Sequence, residues 1–352
     1  MANIKRFHPG IYIKDSLEVM KMTAREFSAR TGISERTLSA IINGNGSITF
    51  DVAYKLSSFF DNSITYWTNL QTQYDIYLKE KEKEAEIEDD WRLIKGIKNY
   101  LIDYGYISQE DDKISIVHKL RKIVGVNSLS LLNETDSFIC FKKQKTQTLS
   151  NDFFQNFWLA LALNEARKKE CGSYDKNKLL NYVKEIWSMT TQEPYEFYPR
   201  LQEILKDCGI SFVLLPYLTK SNIYGATKWF SKDNVMLAIS NRGEKADLFW
   251  FTLFHEISHV LMEHRRETLI NIKGEDDKEA DSMAANMLIP KKKWDSFASK
   301  RHYTEQIIID FAKEIGILPC IVLGRLHKEK NNIVPYGMFD KSLSKSYKIS
   351  IN

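Results

Sequence analysis

The run FWFTLFHEISHVLMEH, residues 249–264, constrains this chain more than any other stretch. Its apolar entry (Phe249, Trp250, Phe251, Leu253, Phe254) predicts a helix. His255 and His259, four residues apart, project from one face of that helix, one turn above each other. Two imidazole nitrogens so placed can bind a single tetrahedral metal ion. Glu256, beside the first histidine, can reach a water on that metal and act as its general base. The pattern H-E-x-x-H is short and also occurs on ordinary surface helices. The apolar entry and the acidic stretch downstream favour a metal site.

A catalytic zinc needs at least one further protein ligand and an open fourth position. Downstream, Asp277 to Leu288 predicts a helix that stops before Ile289-Pro290 and packs through Ala280, Met283, Ala284, Met287 and Leu288. If Ala280 and Ala284 allow close packing on the histidine helix, Glu279 can complete a His-His-Glu set. By position alone Glu275, Asp276, Asp277 and Asp281 compete with it. His264 lies nine positions after His255, about half a turn out of phase, and is read as a non-ligand. His118 stands alone, and His8, His302 and His327 have no partner within sequence reach.

Upstream, Gly209 resets the pattern, and 210–218, 222–230 and 234–240 are short β-rich segments separated by turns. Three strands leading into H-E-x-x-H is the arrangement of small zincin-type metallopeptidases, in which an edge strand holds an extended substrate.

The N-terminal third follows a different logic. Thr23 predicts a helix N-cap with Glu26 completing a capping box, and the helix ends at Gly32. Ser34 caps the next helix, which runs to Asn43 and is closed by Gly44. A helix, a short turn with glycine and a second helix make a helix-turn-helix. Leu38, Ile41 and Ile42 form the inward stripe of the second helix, so Ser34, Arg36, Thr37 and Ser39 point outward, with chemistry suited to phosphates and base edges. Two more helices follow, one capped at Thr49 and one holding Ile64, Trp67 and Leu70. Residues 78–90 alternate charges with almost no apolar content and read as a solvated helix or linker.

The expected organisation is therefore multidomain. An all-α helix-turn-helix head spans 1–76, a charged linker 77–92 and a helical scaffold 93–208. An α+β zincin-like metallopeptidase domain with C-terminal helices spans 209–340. With 43% apolar residues the 352-residue chain can bury sizeable cores, and the formal charge of +4 is compatible with nucleic acid without requiring it. Cys140, Cys171, Cys208 and Cys320 are scattered and read as reduced thiols. No membrane-length apolar run and no signal-peptide core are present, so the expectation is a cytoplasmic protein.

Two resemblances sharpen this reading. Residues 8–75 resemble the HigA-type antitoxin branch of the lambda-repressor-like (Xre) DNA-binding domains, through HPG, ISERTLSAIINGN and SITYWTNLQTQYD. The resemblance implies operator binding through Thr23, Ser34, Arg36 and Thr37, and dimers on paired half-sites. Where such domains often carry a phosphate-contacting glutamine, this chain has Ala24, so that contact is missing. WFTLFHEISHVLMEH followed by KEADSMAANMLIP resembles the ImmA/IrrE zinc metallopeptidases, whose second motif has the form E-A-N-x-F-A-A-x-L-x-P. The match implies one Zn2+ held by His255, His259 and Glu279, with Glu256 as the catalytic glutamate. Asp281 and Met283 replace the usual Asn and Phe, and neither change removes a ligand. IYGATKW and FAKEIGILPCIVLGRLHKE extend the likeness. The implied function is a regulator of antitoxin type whose zinc endopeptidase domain cuts a protein partner, a repressor or toxin-system component. The competing reading is a catalytically silent antitoxin that binds its operator with the head and a cognate toxin with the rest.

Overall fold

The computed structural model describes residues 7–133, 149–263, 269–272 and 278–349. It divides into two compact units, residues 1–89 and 90–352.

The first unit begins with α1 (Gly10–Val19), α2 (Ala24–Thr31), α3 (Glu35–Ile42) and α4 (Phe50–Phe60). Its helix boundaries follow local chemistry. Thr23, Ser34 and Thr49 each accept a hydrogen bond from the backbone N–H three residues on, as N-caps do. Gly32 closes α2 at φ +67°, where a side chain would be strained. The capping box is half formed: Glu26 donates its N–H to Thr23, but its carboxylate pairs with Arg30 at 2.6 Å. Ile13, Leu17, Phe27, Leu38, Ile41, Leu56 and Trp67 make the core. Lys55 Nζ donates to Gly32 O, tying α4 to the end of α2.

α5 (Ile64–Ile94) is 31 residues long, so the charged segment is helical, with Lys79–Glu82 and Lys81–Glu84 pairs one turn apart. Not all of that segment is solvated. Asp90 is fully buried and accepts from Arg121 Nε at 2.7 Å, Ser128 Oγ at 2.8 Å, Leu129 N at 2.9 Å and Ser130 N at 3.2 Å.

The second unit is helical up to a four-stranded sheet. α6 (Lys98–Asp103), α7 (Lys113–Val124), α8 (Leu149–Arg167), α9 (Lys176–Ser188) and α10 (Pro194–Asp207) precede β1 (Ile210–Leu215), β2 (Ile223–Trp229) and β3 (Val235–Ser240). After α11 (Ala246–Leu261) comes β4 (Leu269–Ile272). The sheet order is β1-β3-β2-β4. β1 runs parallel to β3, with Ile210 opposite Val235, and β2 runs antiparallel to both β3 and β4. The three predicted strands are present, and β4, which periodicity did not reveal, is the fourth. Every residue of β1 and β3 is buried: β3 is central, and β1, although at the sheet edge, is covered by helices. α8 and α10 pack on β1, while α11 lies against β2 and β3.

α12 (Lys278–Leu288), α13 (Lys291–Ala298), α14 (Glu305–Ile315), α15 (Pro319–Glu329) and α16 (Asp340–Leu343) complete the unit. The chain then returns to the start of α11: Ala246 N donates to Lys345 O, and Trp250 Nε1 donates to Tyr347 Oη at 3.0 Å. One core joins Phe212, Leu214, Leu237 and Ile239 of the sheet to Phe249, Trp250, Leu253 and Phe254 of α11. Cys208 and Cys320 are free thiols within it, and burial pushes their pKa values up to about 11 and about 12. Among the described residues no helix is long and apolar enough to cross a membrane.

Candidate functional site

α11 is apolar almost all round, so it is buried almost all round. Its few polar residues are buried with it and must find partners inside the protein. Ser258 Oγ donates to Phe254 O one turn back. His255 and His259, each 3% exposed, meet through their Nε2 atoms at 3.1 Å with their rings edge to face. The second histidine is thus one helical turn from the first, as the spacing predicts.

Glu256 lies on the sheet side of the helix. Thr227 Oγ1 donates to its Oε2 at 2.7 Å, which fixes the carboxylate against β2. The strand makes room for it with a glycine: a Cβ on Gly225 would sit 2.6 Å from Glu256 Oε1 and 2.9 Å from Thr252 Cγ2. Gly225 and Thr227 alternate along β2 and therefore share the face that meets α11.

α12 packs on α11 through Ala280 and Ala284, both fully buried. This close approach delivers Asp281, whose Oδ1 lies 2.9 Å from His255 Nδ1. Its Oδ2 receives Lys328 Nζ of α15 at 2.6 Å. Burial is the largest influence on the Asp281 pKa and acts to raise it. The hydrogen bonds with His255 and Lys328, together with the Lys328 charge, outweigh it and hold the carboxyl below its ordinary value. An ionised carboxylate only accepts, so this hydrogen bond uses a proton on His255 Nδ1, and in a neutral imidazole that leaves the Nε2 lone pair facing His259.

This donor set fits a zinc-type ion at two positions. Two buried imidazole nitrogens converge, and the far nitrogen of one is held by a carboxylate, the usual support of a metal-bound histidine. Asp281 meets His255 on the nitrogen that faces away from His259, so it backs the pair and does not complete it. Glu279 is exposed in the first turn of α12. Among the described residues no three His, Cys, Asp or Glu side chains are gathered closely enough to hold an ion. His264, Glu275, Asp276 and Asp277 lie outside the described residues.

Two histidines read as isolated have partners. His8 is 9% exposed; its Nδ1 accepts from Gly10 N at 3.0 Å and its ring meets Tyr74 edge-on. Burial lowers its pKa, against a hydrogen bond with the Gly46 backbone and the charge of Asp75. His327, 5% exposed, meets Met338 O at 3.1 Å and packs near Tyr336.

In the head, Thr23, Ser34, Arg36, Thr37 and Ser39 are all exposed. Thr23 and Ser34 spend an acceptor site on capping, and the Ser34 and Thr37 hydroxyls share a hydrogen bond of 2.8 Å. Ser39 Oγ accepts from Asn43 Nδ2. Arg36 makes no ion pair among the described residues, so its full guanidinium edge is available to an anion.

The sequence matches two family models: helix-turn-helix over residues 13–67 and IrrE N-terminal-like domain over residues 208–327. The uncharacterized HTH-type transcriptional regulator YddM of Escherichia coli K12 is 34% identical over 94 residues, 27% of this chain and 96% of that protein. The uncharacterized HTH-type transcriptional regulator YbaQ of the same strain is 28% identical over 101 residues, 28% of this chain and 88% of that protein. Among solved structures, one from Coxiella burnetii, described as an addiction module antidote protein of a HigA family, is 34% identical. It covers 24% of this chain and 95% of its own, with a TM-score of 0.23.

Proposed function

Because the chain belongs to the helix-turn-helix transcriptional regulators and carries an IrrE N-terminal-like domain, we propose that it is an antitoxin-type regulator with a zinc-dependent endopeptidase. The proposed cut is an amide bond in a protein partner, a repressor or a component of the same toxin system. In this reading it works in the cytoplasm as a homodimer on operator DNA, with Thr23, Ser34, Arg36, Thr37 and Ser39 facing the duplex.

The observation that carries the peptidase reading is the buried His255–His259 pair with Glu256 beside it, pinned by Thr227. A binding module has no use for a carboxylate held next to two converging imidazoles. His255 and His259 would hold the ion, and Glu279, the glutamate matching the second motif, would be the third ligand, supplied by the first turn of α12. When bound, zinc supplies Lewis acidity for the carbonyl and lowers the pKa of water to about 7. The chain's own part is to place the proton. Asp281 keeps one on His255 Nδ1. Glu256 takes the proton of the attacking water at its carboxylate and returns it to the leaving amine. Thr227 holds that carboxylate in one rotamer throughout.

The test is cleavage of co-expressed proteins encoded next to this gene, by wild type and by Glu256→Gln. Cleavage by wild type and a loss of about 10²–10⁴-fold in the variant support the reading. Stoichiometric zinc without cleavage of any neighbour, with equally tight toxin binding by both forms, would establish the silent antitoxin instead.

A further inference from the structure

We infer that Lys328 is a positioning residue of the metal centre. Through Asp281 it keeps His255 in the tautomer and orientation that direct Nε2 at the ion. The inference rests on the zinc reading above and concerns a residue with no place among the ligands or the general base.

The geometry forms one line across three helices. His259 Nε2 meets His255 Nε2 at 3.1 Å, His255 Nδ1 meets Asp281 Oδ1 at 2.9 Å, and Asp281 Oδ2 receives Lys328 Nζ at 2.6 Å. The lysine is itself oriented, since its ammonium stands 5.2 Å from the centre of the Phe251 ring on α11. It therefore touches both helices of the site, α12 by a charge-assisted hydrogen bond and α11 by a ring face.

α15 has a second hold on α12, three residues from the first. Arg325 Nη1 donates to Ala285 O at 2.8 Å and to Ile289 O at 3.2 Å, and its guanidinium stacks over Trp294. Arg325 satisfies carbonyls at the C-terminal end of α12, whereas Lys328 fixes the carboxylate that reaches His255. α15 thus splints α12 at both ends, and only the Lys328 end transmits chemistry to the site. Without Lys328, Asp281 is left with two acceptor oxygens and a single donor. It can then rotate toward solvent, and His255 can exchange tautomers.

Lys328 has a side chain half exposed to solvent, so Lys328→Met should fold. Zinc affinity would be measured by competition with a chromophoric chelator on the full chain. The histidine tautomers of the metal-free protein would be read from ring ¹⁵N shifts, with His255→Asn to assign the signal. Expected for Lys328→Met and Asp281→Ala is zinc binding weaker by about 10–100-fold with a mixed His255 tautomer, and for Lys328→Met an unchanged metal-free melting temperature. Lys328→Arg should restore both readouts. Wild-type affinity and a pure Nδ1–H tautomer in Lys328→Met would overturn the inference. Absence of zinc binding in wild type would overturn the metal reading instead, and the tautomer measurement would still decide the role of Lys328.

Discussion

The head and the buried histidine site hold their polar side chains in opposite ways. In the head, Thr23, Ser34 and Thr49 bond to the residue three places on, and the exposed set follows from the inward stripe of one short helix. In the histidine site, Glu256 meets Thr227 across 29 residues, His255 meets Asp281 across 26, and Asp281 meets Lys328 across 47. Local caps set the helix boundaries of the head, and its core closes within residues 1–89. The histidine site exists only when three helices and a sheet have assembled.

That contrast can be strained at several points. The largest effect is expected where a long-range node is fully buried. Asp90→Ala leaves the Arg121 guanidinium, 13% exposed, without its carboxylate, at a cost of about 3–5 kcal/mol. Calorimetry should show the loss in the transition of residues 90–352. A drop under 1 kcal/mol would mean the node is as weak as a surface pair.

Next comes Gly225→Ala, whose methyl would overlap Glu256 and Thr252. Overpacking of this kind costs about 1–3 kcal/mol, and a second change, Glu256→Ala, should recover most of it by vacating the space. If the double variant is no more stable than Gly225→Ala alone, the glycine is there for another reason.

In the head, Ser34→Ala removes the cap of α3 and should cost about 0.5–2 kcal/mol. Zinc binding should not change, because no long-range partner is lost. Altered zinc affinity in that variant would break the independence claimed for the two regions.

The smallest effect is a pH dependence. Burial raises the Asp247 pKa above its ordinary value, opposed by the charge of Lys245. A raised folded-state pKa gives stability that is full below the unfolded value of about 3.9 and is lost as pH rises through the folded value. Relative to Asp247→Asn, wild type should therefore lose stability as pH rises above about 4 in urea titrations. A difference that stays flat over that range would show the carboxyl to be well solvated.

The same contrast explains what could be read from residues alone. Caps, glycine stops and the inward stripe of α3 are short-range signals, and the structure reproduces them. The H-E-x-x-H spacing is also local, and the two histidines meet as it predicts. Resemblance picked Glu279 from five acidic candidates, whereas the structure shows Asp281 beside His255, a contact that no periodicity within one helix encodes. Thr227 and Gly225 left a faint trace, two small residues on one face of a strand that precedes the motif. Lys328 left none, because its contact with Asp281 depends on where α15 docks. Asp90 was hidden for the converse reason, as one buried acid at the end of a run of solvated ones.

The most direct test of the account is the metal content of the purified full chain, measured by native mass spectrometry. One zinc per wild-type chain is expected, with none in His259→Ala and with DNA binding by the head unchanged in that variant. A wild-type chain that takes up no zinc, or a His259→Ala chain that retains it, would contradict the claim that these histidines form a metal centre.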